Sequence, residues 1–362
     1  MSSGIYIHIP FCSRKCDYCD FFSFKASSSY VDKYIDALLD EINSGKHQAL
    51  SFDSIYIGGG TPSCIDASYI NRILSRLYAR YNLNSPEITI ELNPETITCE
   101  KLQIYKESGV NRISLGVQSF ASKNLEALGR HRMVDLNSLW PVIFSIFTNV
   151  SIDLMYGIPK QTLQNLREDL RSIPENIKHV SCYCLSIEPG TQLYKKSCNL
   201  NLPNDDLLLS MQETIINFLG IKDIYRYEIS NYARPSFESR HNLHYWQYDN
   251  YLGFGAGAVS TISGERMENT KSMLKYLSRN YVESAYSLSE NEQINEYVML
   301  ALRLIKGLDL SAFQRRFSKE KVNELLQRIS DNNKFFYLKD NFAALNSQGL
   351  NLSNTIVSNL FL

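Results

Sequence analysis

An apolar run leads directly into a cysteine loop near the start of the chain: Ile5-Tyr6-Ile7-His8-Ile9-Pro10-Phe11, then Cys12-Ser13-Arg14-Lys15-Cys16-Asp17-Tyr18-Cys19. The apolar run predicts a β-strand over residues 5–9. The cysteines are spaced C-x3-C-x2-C, which places three thiolates on one short loop. Thiolate is a soft ligand that favours iron–sulfur clusters, zinc or copper(I). A [4Fe–4S] cluster usually takes four cysteines, so three would leave one iron open to a small molecule.

The same three cysteines have two simpler explanations. They could hold zinc together with one further ligand, for which His8 or Asp20 is available. They could also be the remnant of a disulfide framework. Zinc sites usually bring their ligands as two separated pairs, and no second C-x2-C or H-x3-H follows in a position to complete one. The spacing therefore favours an iron–sulfur cluster on Cys12, Cys16 and Cys19.

Length and composition describe a soluble globular protein. The 362 residues suffice for one large α/β domain and a smaller one. A formal net charge of −1 gives no reason to expect nucleic acid as a partner. The eight cysteines form no disulfide framework and indicate a reducing compartment. We expect no signal peptide and no transmembrane segment, hence a cytoplasmic protein, while peripheral contact with a membrane stays open.

Strand-like and helix-like segments alternate from residue 5 to about residue 230. Strands are predicted at 5–9, 54–58, 87–92, 112–117, 150–156 and 180–187. Helices are predicted near 30–44, 66–81, 98–108, 121–128, 135–146 and 162–172. This alternation predicts an α/β fold with a parallel sheet, and six units fit a partial (β/α)6 barrel. In such barrels the active site lies at the carboxyl ends of the strands.

Glycines and polar residues follow the predicted strands at their carboxyl ends. Gly58-Gly59-Gly60-Thr61-Pro62 follows the second strand. Glycine lets a backbone approach a ligand closely, although a tight turn would need the same residues. Glu91 ends the third strand, where it can accept hydrogen bonds from both hydroxyls of a ribose or remain a solvated acid.

Three further residues are candidates for the same site. Gln118 follows the fourth strand and could donate to a nucleoside. Arg130 offers a planar fork for a carboxylate, and an exposed arginine at a helix end is the simpler explanation. Asp153 lies inside an otherwise apolar strand, where an unpaired charge is costly. It therefore requires either a protein partner or a ligand.

A polar break at residues 234–239 predicts a boundary between a core of residues 1–235 and a second domain of residues 236–362. Helical patterns at about 289–305 and 310–330 precede a short hairpin, which predicts a smaller winged-helix-like module. Its helices mix acidic and basic residues without a basic face, so packing or covering the barrel is favoured over binding DNA.

His241-Asn242-Leu243-His244-Tyr245-Trp246 begins the second predicted domain. Imidazole is a common axial ligand of haem, and flat aromatic side chains beside it suit a macrocycle. A structural histidine would produce the same pattern, and from the residues alone we favour that explanation.

Taken together, these motifs resemble the radical SAM family, named for S-adenosylmethionine (SAM), and within it the oxygen-independent coproporphyrinogen III oxidase branch. The resemblance rests on five segments: residues 6–12, 58–62, 116–120, 227–233 and 241–246. It implies that the three cysteines hold a [4Fe–4S] cluster. It also implies that His241 is a candidate haem ligand and that SAM is contacted by Tyr6, Gly59, Gly60, Thr61, Glu91, Gln118, Arg130 and Asp153.

Two details distinguish members of that branch. The oxidases carry one more cysteine two residues after the third, and this chain has Phe21 there. The oxidases also begin with a long arm, whereas the first strand here starts at about residue 5. The chain therefore resembles the haem-chaperone members, which implies a protein that binds haem and passes it to an acceptor protein.

Two other functions stay open at this stage. One is radical decarboxylation of coproporphyrinogen III. The other is a zinc-stabilised binding module without SAM.

Overall fold

The computed structural model describes residues 2–45, 47–130 and 134–362. Six parallel strands stand side by side in chain order. They are β1 (Ser3–Ile9), β2 (Ser51–Gly59), β3 (Asn82–Leu92), β4 (Arg112–Gln118), β5 (Asn149–Tyr156) and β6 (His179–Cys184). The connecting helices are α1 (Ser28–Asn43), α2 (Ala67–Arg80), α3 (Cys99–Glu107), α4 (Ser122–Ala127), α5 (Leu136–Ile146) and α6 (Leu163–Arg171). The predicted α/β fold is confirmed.

The strands alternate between an apolar outer face and a polar inner face, because successive side chains of a strand point to opposite sides. In β1, Ile5, Ile7 and Ile9 are fully buried in the core beneath the helices. In β3, Ile88 and Ile90 are fully buried in the same core. The inner positions carry Tyr56, Glu91, Arg112, Ser114, Asp153, His179 and Ser181, which all line one cavity. The barrel therefore has a polar interior.

Local sequence fixes where the helices begin behind the strands. Asp66 accepts a hydrogen bond from the Ser68 N–H at the start of α2. Thr162 and Asn165 form a reciprocal capping box at the start of α6. Such caps satisfy backbone N–H groups that have no partner within the helix. The loops between strand carboxyl ends and helices are thereby held in defined conformations.

The sheet continues on both sides of the barrel and reaches twelve strands in the described part of the chain: four further strands between residues 251 and 287 lie on the β1 side, and two short strands between residues 225 and 233 lie on the β6 side. After β6 come α7 (Gln192–Lys195), α8 (Asp205–Ile221), β7 (Tyr225–Arg226), β8 (Asn231–Ala233) and α9 (Arg240–Trp246). Then follow β9 (Tyr251–Phe254), β10 (Val259–Ile262), β11 (Glu265–Asn269), α10 (Met273–Leu277) and β12 (Val282–Ser287). Strand β9 pairs in parallel with β1.

Helix α9 closes the barrel at the amino ends of the strands, opposite the cysteine loop. The Glu87 carboxylate accepts a hydrogen bond of 2.9 Å from the Arg240 N–H at the start of this helix. His241 Nδ1 lies 3.1 Å from Ser54 Oγ. Glu87 and Ser54 belong to the first halves of β3 and β2. The segment 241–246 thus lies beneath the cavity and not at its mouth.

The last part of the chain forms a second core, built from buried residues between Ile294 and Leu360. Its elements are α11 (Glu290–Ala301), β13 (Leu308–Asp309), α12 (Leu310–Arg316), α13 (Lys319–Asp331), β14 (Phe336–Lys339), β15 (Phe342–Leu345), α14 (Ser347–Asn351) and α15 (Ser353–Ser358). Helices α11, α12 and α13 together with the three-stranded sheet β13-β15-β14 give the expected winged-helix-like arrangement, and α14 and α15 follow it. The domain boundary at residues 235 and 236 stays a prediction, since β9 to β12 extend the main sheet.

Candidate cofactor site

The cysteine loop is closed at its base by backbone hydrogen bonds. The Cys12 N–H donates to the Phe24 carbonyl at 3.0 Å, and the Phe24 N–H donates to the Pro10 carbonyl at 2.9 Å. Farther along, the Asp17 N–H donates to the Leu128 carbonyl at 3.2 Å. These bonds hold the loop over the carboxyl ends of the strands, where the sequence predicted it.

All eight cysteines are free thiols, and Cys12, Cys16 and Cys19 line the cavity together. Burial raises the pKa of the Cys16 and Cys19 thiols, although Arg130 and the Phe21 backbone act in the opposite direction. Iron binds the deprotonated thiolates, so cluster binding must release these protons. Three soft donors beside an open cavity fit a [4Fe–4S] cluster with one accessible iron.

One of the two candidate fourth ligands of zinc is already engaged in hydrogen bonds. His8, one candidate fourth ligand, uses both ring nitrogens: Tyr6 Oη lies 3.0 Å from Nδ1, and Nε2 lies 3.0 Å from the Phe22 carbonyl. Within residues 2–45, 47–130 and 134–362, no three His, Cys, Asp or Glu side chains, the loop cysteines included, are close enough as they stand to share one metal ion, so this observation does not separate zinc from a cluster. Metal analysis is the experiment that distinguishes zinc from iron.

The glycine turn after β2 packs tightly against the cysteine strand. The Gly60 N–H donates to the Ile9 carbonyl at 2.9 Å, and the Thr61 N–H donates to the Phe11 carbonyl at 2.7 Å. A Cβ atom on Gly60 would lie 2.5 Å from the Phe11 carbonyl oxygen, which excludes any side chain. Thr61 Oγ1 lies 3.6 Å from Cys12 Sγ. The turn therefore reaches the predicted cluster ligands directly.

Glu91 connects the glycine turn with the barrel interior. Its Oε1 accepts a hydrogen bond of 2.8 Å from the Tyr56 hydroxyl, and its Oε2 accepts one of 3.1 Å from the Gly59 N–H. Burial raises the pKa of Glu91 to about 7; Asp153 adds to this and the two hydrogen bonds oppose it. The carboxyl group therefore exchanges a proton near neutral pH while its position is fixed from two sides.

Asp153 and Arg130 lie on the opposite side of the cavity. Asp153 Oδ1 accepts a hydrogen bond of 3.3 Å from the Ser114 hydroxyl, so the predicted charge inside this strand has a protein partner. Burial raises the pKa of Asp153, while Ser181, Arg112, Ser114 and Arg130 lower it. Arg130 Nη1 donates to the Gly116 carbonyl at 3.1 Å.

Gln118 is held in an unusual backbone conformation by a residue that the sequence analysis did not identify. Its φ of 64° lies in the left-handed region, which L-residues rarely adopt. The turn that follows is bound by the buried Asp169 of α6, which accepts hydrogen bonds of 2.7 Å from both the Ser119 hydroxyl and the Phe120 N–H. Asp169 is thus a positioning residue for Gln118.

Nearly all of the predicted site residues converge on a single cavity of about 440 Å³. The wall contains Cys12, Cys16, Cys19, Gly59, Gly60, Thr61, Glu91, Gln118, Arg130 and Asp153. Tyr6 and His241 do not contribute to the wall. They lie behind Tyr56, whose ring is 6.4 Å from that of Tyr6 and 5.3 Å from that of His241, measured between centroids.

His241 is fully enclosed, and only 1% of its surface is exposed. Nδ1 lies 3.1 Å from Ser54 Oγ, and Nε2 lies 2.9 Å from the Tyr245 hydroxyl. Burial lowers the pKa of His241 to about 3, so the imidazole is neutral. Binding of haem iron by His241 would therefore require the ring to give up one of these hydrogen bonds.

The cavity also contains residues that the sequence analysis did not select, among them Tyr56, Arg112 and Asn242. The two strand residues share the inward register of their strands: Tyr56 is two residues before Gly58, and Arg112 is two before Ser114. That register could have identified them once the strand boundaries were known. Asn242 comes from α9 below the barrel, and no local pattern reveals this placement.

Comparison with known proteins agrees with the fold and the site. A model of the radical SAM superfamily matches residues 6–173, and a model of the HemN C-terminal domain matches residues 288–355. The curated heme chaperone HemW of Lactococcus lactis is 34% identical over 99% of this chain and 97% of that protein. This chain belongs to the HemW family of radical SAM proteins. The HemW of Escherichia coli is 34% identical over 84% of the chain and 83% of its own length.

Membership of the radical SAM superfamily implies a [4Fe–4S] cluster and SAM as cofactors of this HemW-family chain. The fold is also that of the coproporphyrinogen III oxidase HemN from Escherichia coli, with a TM-score of 0.85 and 23% identity over 99% of this chain and 90% of that chain. Across the described residues, no helix combines the length and the hydropathy needed to cross a bilayer.

Proposed function

We propose that this chain is a cytoplasmic haem chaperone, which binds haem and transfers it to an acceptor protein. The observation that carries the proposal is the similarity to curated heme chaperones over nearly the whole length of both chains. Phe21 supports it, because it stands where the oxidases resembled by this chain have a further cysteine. Its side chain is 60% exposed at the rim of the cavity and supplies no ligand to a metal.

In this proposal Cys12, Cys16 and Cys19 hold the [4Fe–4S] cluster, and SAM occupies the part of the cavity next to the cysteine loop. The cluster and SAM, when bound, supply one-electron chemistry. Gly59, Gly60 and Thr61 offer a backbone turn that a ligand can approach within van der Waals distance. Their packing against the cysteine strand fixes the distance between the turn and the cluster loop.

The side chains around the cavity then orient SAM. Glu91 accepts hydrogen bonds from the ribose hydroxyls, and Gln118 donates to the nucleoside. Arg130 binds the methionyl carboxylate through the donors that the Gly116 carbonyl leaves unused. Asp153 lies within electrostatic reach of Arg130 and lines the same cavity, where it contacts the same ligand. Tyr6 acts from behind the wall, by packing against Tyr56.

For haem, His241 remains the proposed axial ligand, subject to a structural condition. Either Nε2 must leave the Tyr245 hydroxyl or Nδ1 must leave the Ser54 hydroxyl, because a nitrogen engaged in a hydrogen bond cannot bind iron at the same time. Release of haem to the acceptor would allow the hydrogen bond to re-form. The ligand role thus predicts a rearrangement of α9 on haem binding.

One anaerobic sample, reconstituted with iron and sulfide, tests the proposal against the oxidase alternative. Haem is titrated into it, and coproporphyrinogen III is then supplied with SAM and a low-potential reductant. We expect saturable haem binding and no vinyl product. Vinyl product formed at catalytic rates would replace the chaperone with an oxidase. A colourless zinc protein that binds neither SAM nor haem would leave only a binding module.

A further inference from the structure

The floor of the cavity holds a buried arginine with one guanidinium nitrogen that no described residue satisfies. Arg112, at the start of β4, is 2% exposed, and its Nε has no hydrogen-bond partner among the residues that the structure describes. Its side chain lines the same cavity as the three cysteines. Leaving a buried donor without a partner costs free energy, and the cost is larger for a charged group.

The nearest acidic groups are occupied by other donors. Glu87 and Asp153 both lie within electrostatic reach of Arg112, yet in the described part of the chain neither forms an ion pair with it. Glu87 accepts the Arg240 N–H at 2.9 Å, and Asp153 accepts the Ser114 hydroxyl at 3.3 Å. The two carboxylates balance the charge of Arg112 at a distance but leave its Nε without an acceptor among the described residues.

The strands on either side of Arg112 present further unsatisfied groups at the same level. Arg112 pairs with Thr89 of β3 and with Asn149 of β5. Thr89 Oγ1 and Asn149 Oδ1 are buried, and neither has a hydrogen-bond partner in the described residues. Such groups are rare in folded proteins, although Thr89 and Asn149 themselves are not among the residues that line the cavity.

Asn242 approaches the same floor from α9. Its backbone N–H donates to Ser239 Oγ, while its side-chain amide lines the cavity and has no hydrogen-bond partner in the described ranges. The N–H groups of a guanidinium and of a side-chain amide can together donate hydrogen bonds to the two oxygens of a carboxylate. Burial raises the pKa of both Glu87 and Asp153, and Arg112 acts in the opposite direction on each.

We propose that Arg112 and Asn242 form a carboxylate subsite on the cavity floor, which receives a propionate arm of the tetrapyrrole. The inference rests on the proposed function, because a tetrapyrrole with propionates must be the cargo. The methionyl end of SAM is the other source of a carboxylate, and it is assigned to Arg130 near the cysteine loop. Arg112 and Asn242 lie on the floor beneath.

Metal-free protoporphyrin IX is the probe, since without iron it cannot be held by an axial ligand such as His241. Its affinity for the reconstituted protein is measured by fluorescence, with and without SAM, and compared with that of its dimethyl ester. We expect the diacid to bind about tenfold or more tightly than the diester. Arg112→Lys, which keeps the charge but loses the fork, and Asn242→Leu should each remove most of that difference.

Arg240→Gln is the matched control, because Arg240 lies beside Asn242 in sequence and its guanidinium donates outside the cavity, to the Ser85 carbonyl. It should keep the preference for the diacid. Thermal unfolding identifies any variant that is not folded, and Asn242→Leu then provides the test if Arg112→Lys fails to fold. Equal affinity of the wild type for diacid and diester would overturn the subsite.

The same measurements separate this inference from the proposed function and from SAM binding. If the wild type binds haem but treats diacid and diester alike, only the subsite is wrong. If it binds neither haem nor protoporphyrin, the chaperone function itself is wrong. If Arg112→Lys weakens SAM binding but not protoporphyrin binding, the guanidinium binds SAM, and the assignment of Arg112 to a propionate is overturned.

Discussion

The imidazole ring of His241 stacks on the phenol ring of Tyr56, with centroids 5.3 Å apart and planes inclined by 26°. The Tyr56 hydroxyl in turn donates to Glu91, which accepts the Gly59 N–H. A residue of α9 is thus connected through one aromatic contact to the glycine turn beside the cysteine loop. Any ligand that moves His241 must therefore disturb the site proposed for SAM, and linkage requires the effect to be reciprocal.

The stacking predicts different effects for two substitutions of His241. His241→Phe keeps a flat ring against Tyr56, whereas His241→Ala removes it, and an aromatic pair is worth about 0.5–1.5 kcal/mol beyond area burial. We expect His241→Ala to weaken SAM binding several-fold and His241→Phe to preserve it. Both should lose the haem spectrum of the wild type if His241 binds iron. Unchanged haem affinity and spectrum in both variants would reject His241 as the ligand.

The raised pKa of Glu91 predicts a pH-dependent contribution to stability. Its pKa is about 7 in the folded protein and about 4.3 in an unfolded chain. Between these values the folded state holds the proton more tightly, so this contribution is present at low pH and is lost as the pH rises to 7. Relative to Glu91→Gln, the wild type should lose about 2–3 kcal/mol of unfolding free energy between pH 5 and pH 8.

Urea unfolding of the cluster-free proteins at the two pH values measures this difference. Tyr56→Phe removes one hydrogen bond that favours the ionised carboxylate, so it should raise the pKa of Glu91 further. In the Tyr56→Phe variant, the fall in unfolding free energy with rising pH would then continue to a higher pH than in the wild type. A difference between wild type and Glu91→Gln that does not change with pH would contradict the assignment.

Asp169→Asn tests whether the turn after β4 positions Gln118. An amide has one acceptor oxygen where the carboxylate has two, so the bonds to Ser119 and Phe120 cannot both be kept in full. We expect a loss of about 1–3 kcal/mol in unfolding free energy and a weaker affinity for SAM. The neighbouring Glu168→Gln, an exposed residue bonded to Gln164, should change neither measurement. Equal behaviour of the two variants would remove the positioning role from Asp169.

If the loop cysteines bind the cluster, substituting them should remove iron and sulfide, and substituting a cysteine outside the loop should not. Cys12→Ser, Cys16→Ser and Cys19→Ser should each lose most of the iron and sulfide after anaerobic reconstitution, because the hydroxyl is a harder ligand than the thiolate. Cys99→Ser, at an exposed position at the start of α3, should keep both. Iron and sulfide analysis decides the matter, and a cluster that survives all three loop substitutions would exclude this loop as its ligand.

The barrel could be predicted from the sequence because each strand and helix has its own periodicity and the polar signals recur at strand ends. Strands β9 to β12 could not, since they are short and β9 is recognisable only by its pairing with β1. The cysteines and Glu91 stand out locally. Arg112 and Asn242 do not, because they come together only when β4 and α9 meet on the cavity floor. The burial of His241 likewise depends on where α9 packs.

A [4Fe–4S] cluster held by three cysteines, with one iron open to the cavity, is the feature on which SAM binding depends. Mössbauer spectra of the anaerobically purified protein, enriched in ⁵⁷Fe, should show such a cluster, and addition of SAM should change the signal of a single iron. A protein that contains zinc without a cluster, or a cluster with four equivalent irons that do not respond to SAM, would contradict the account.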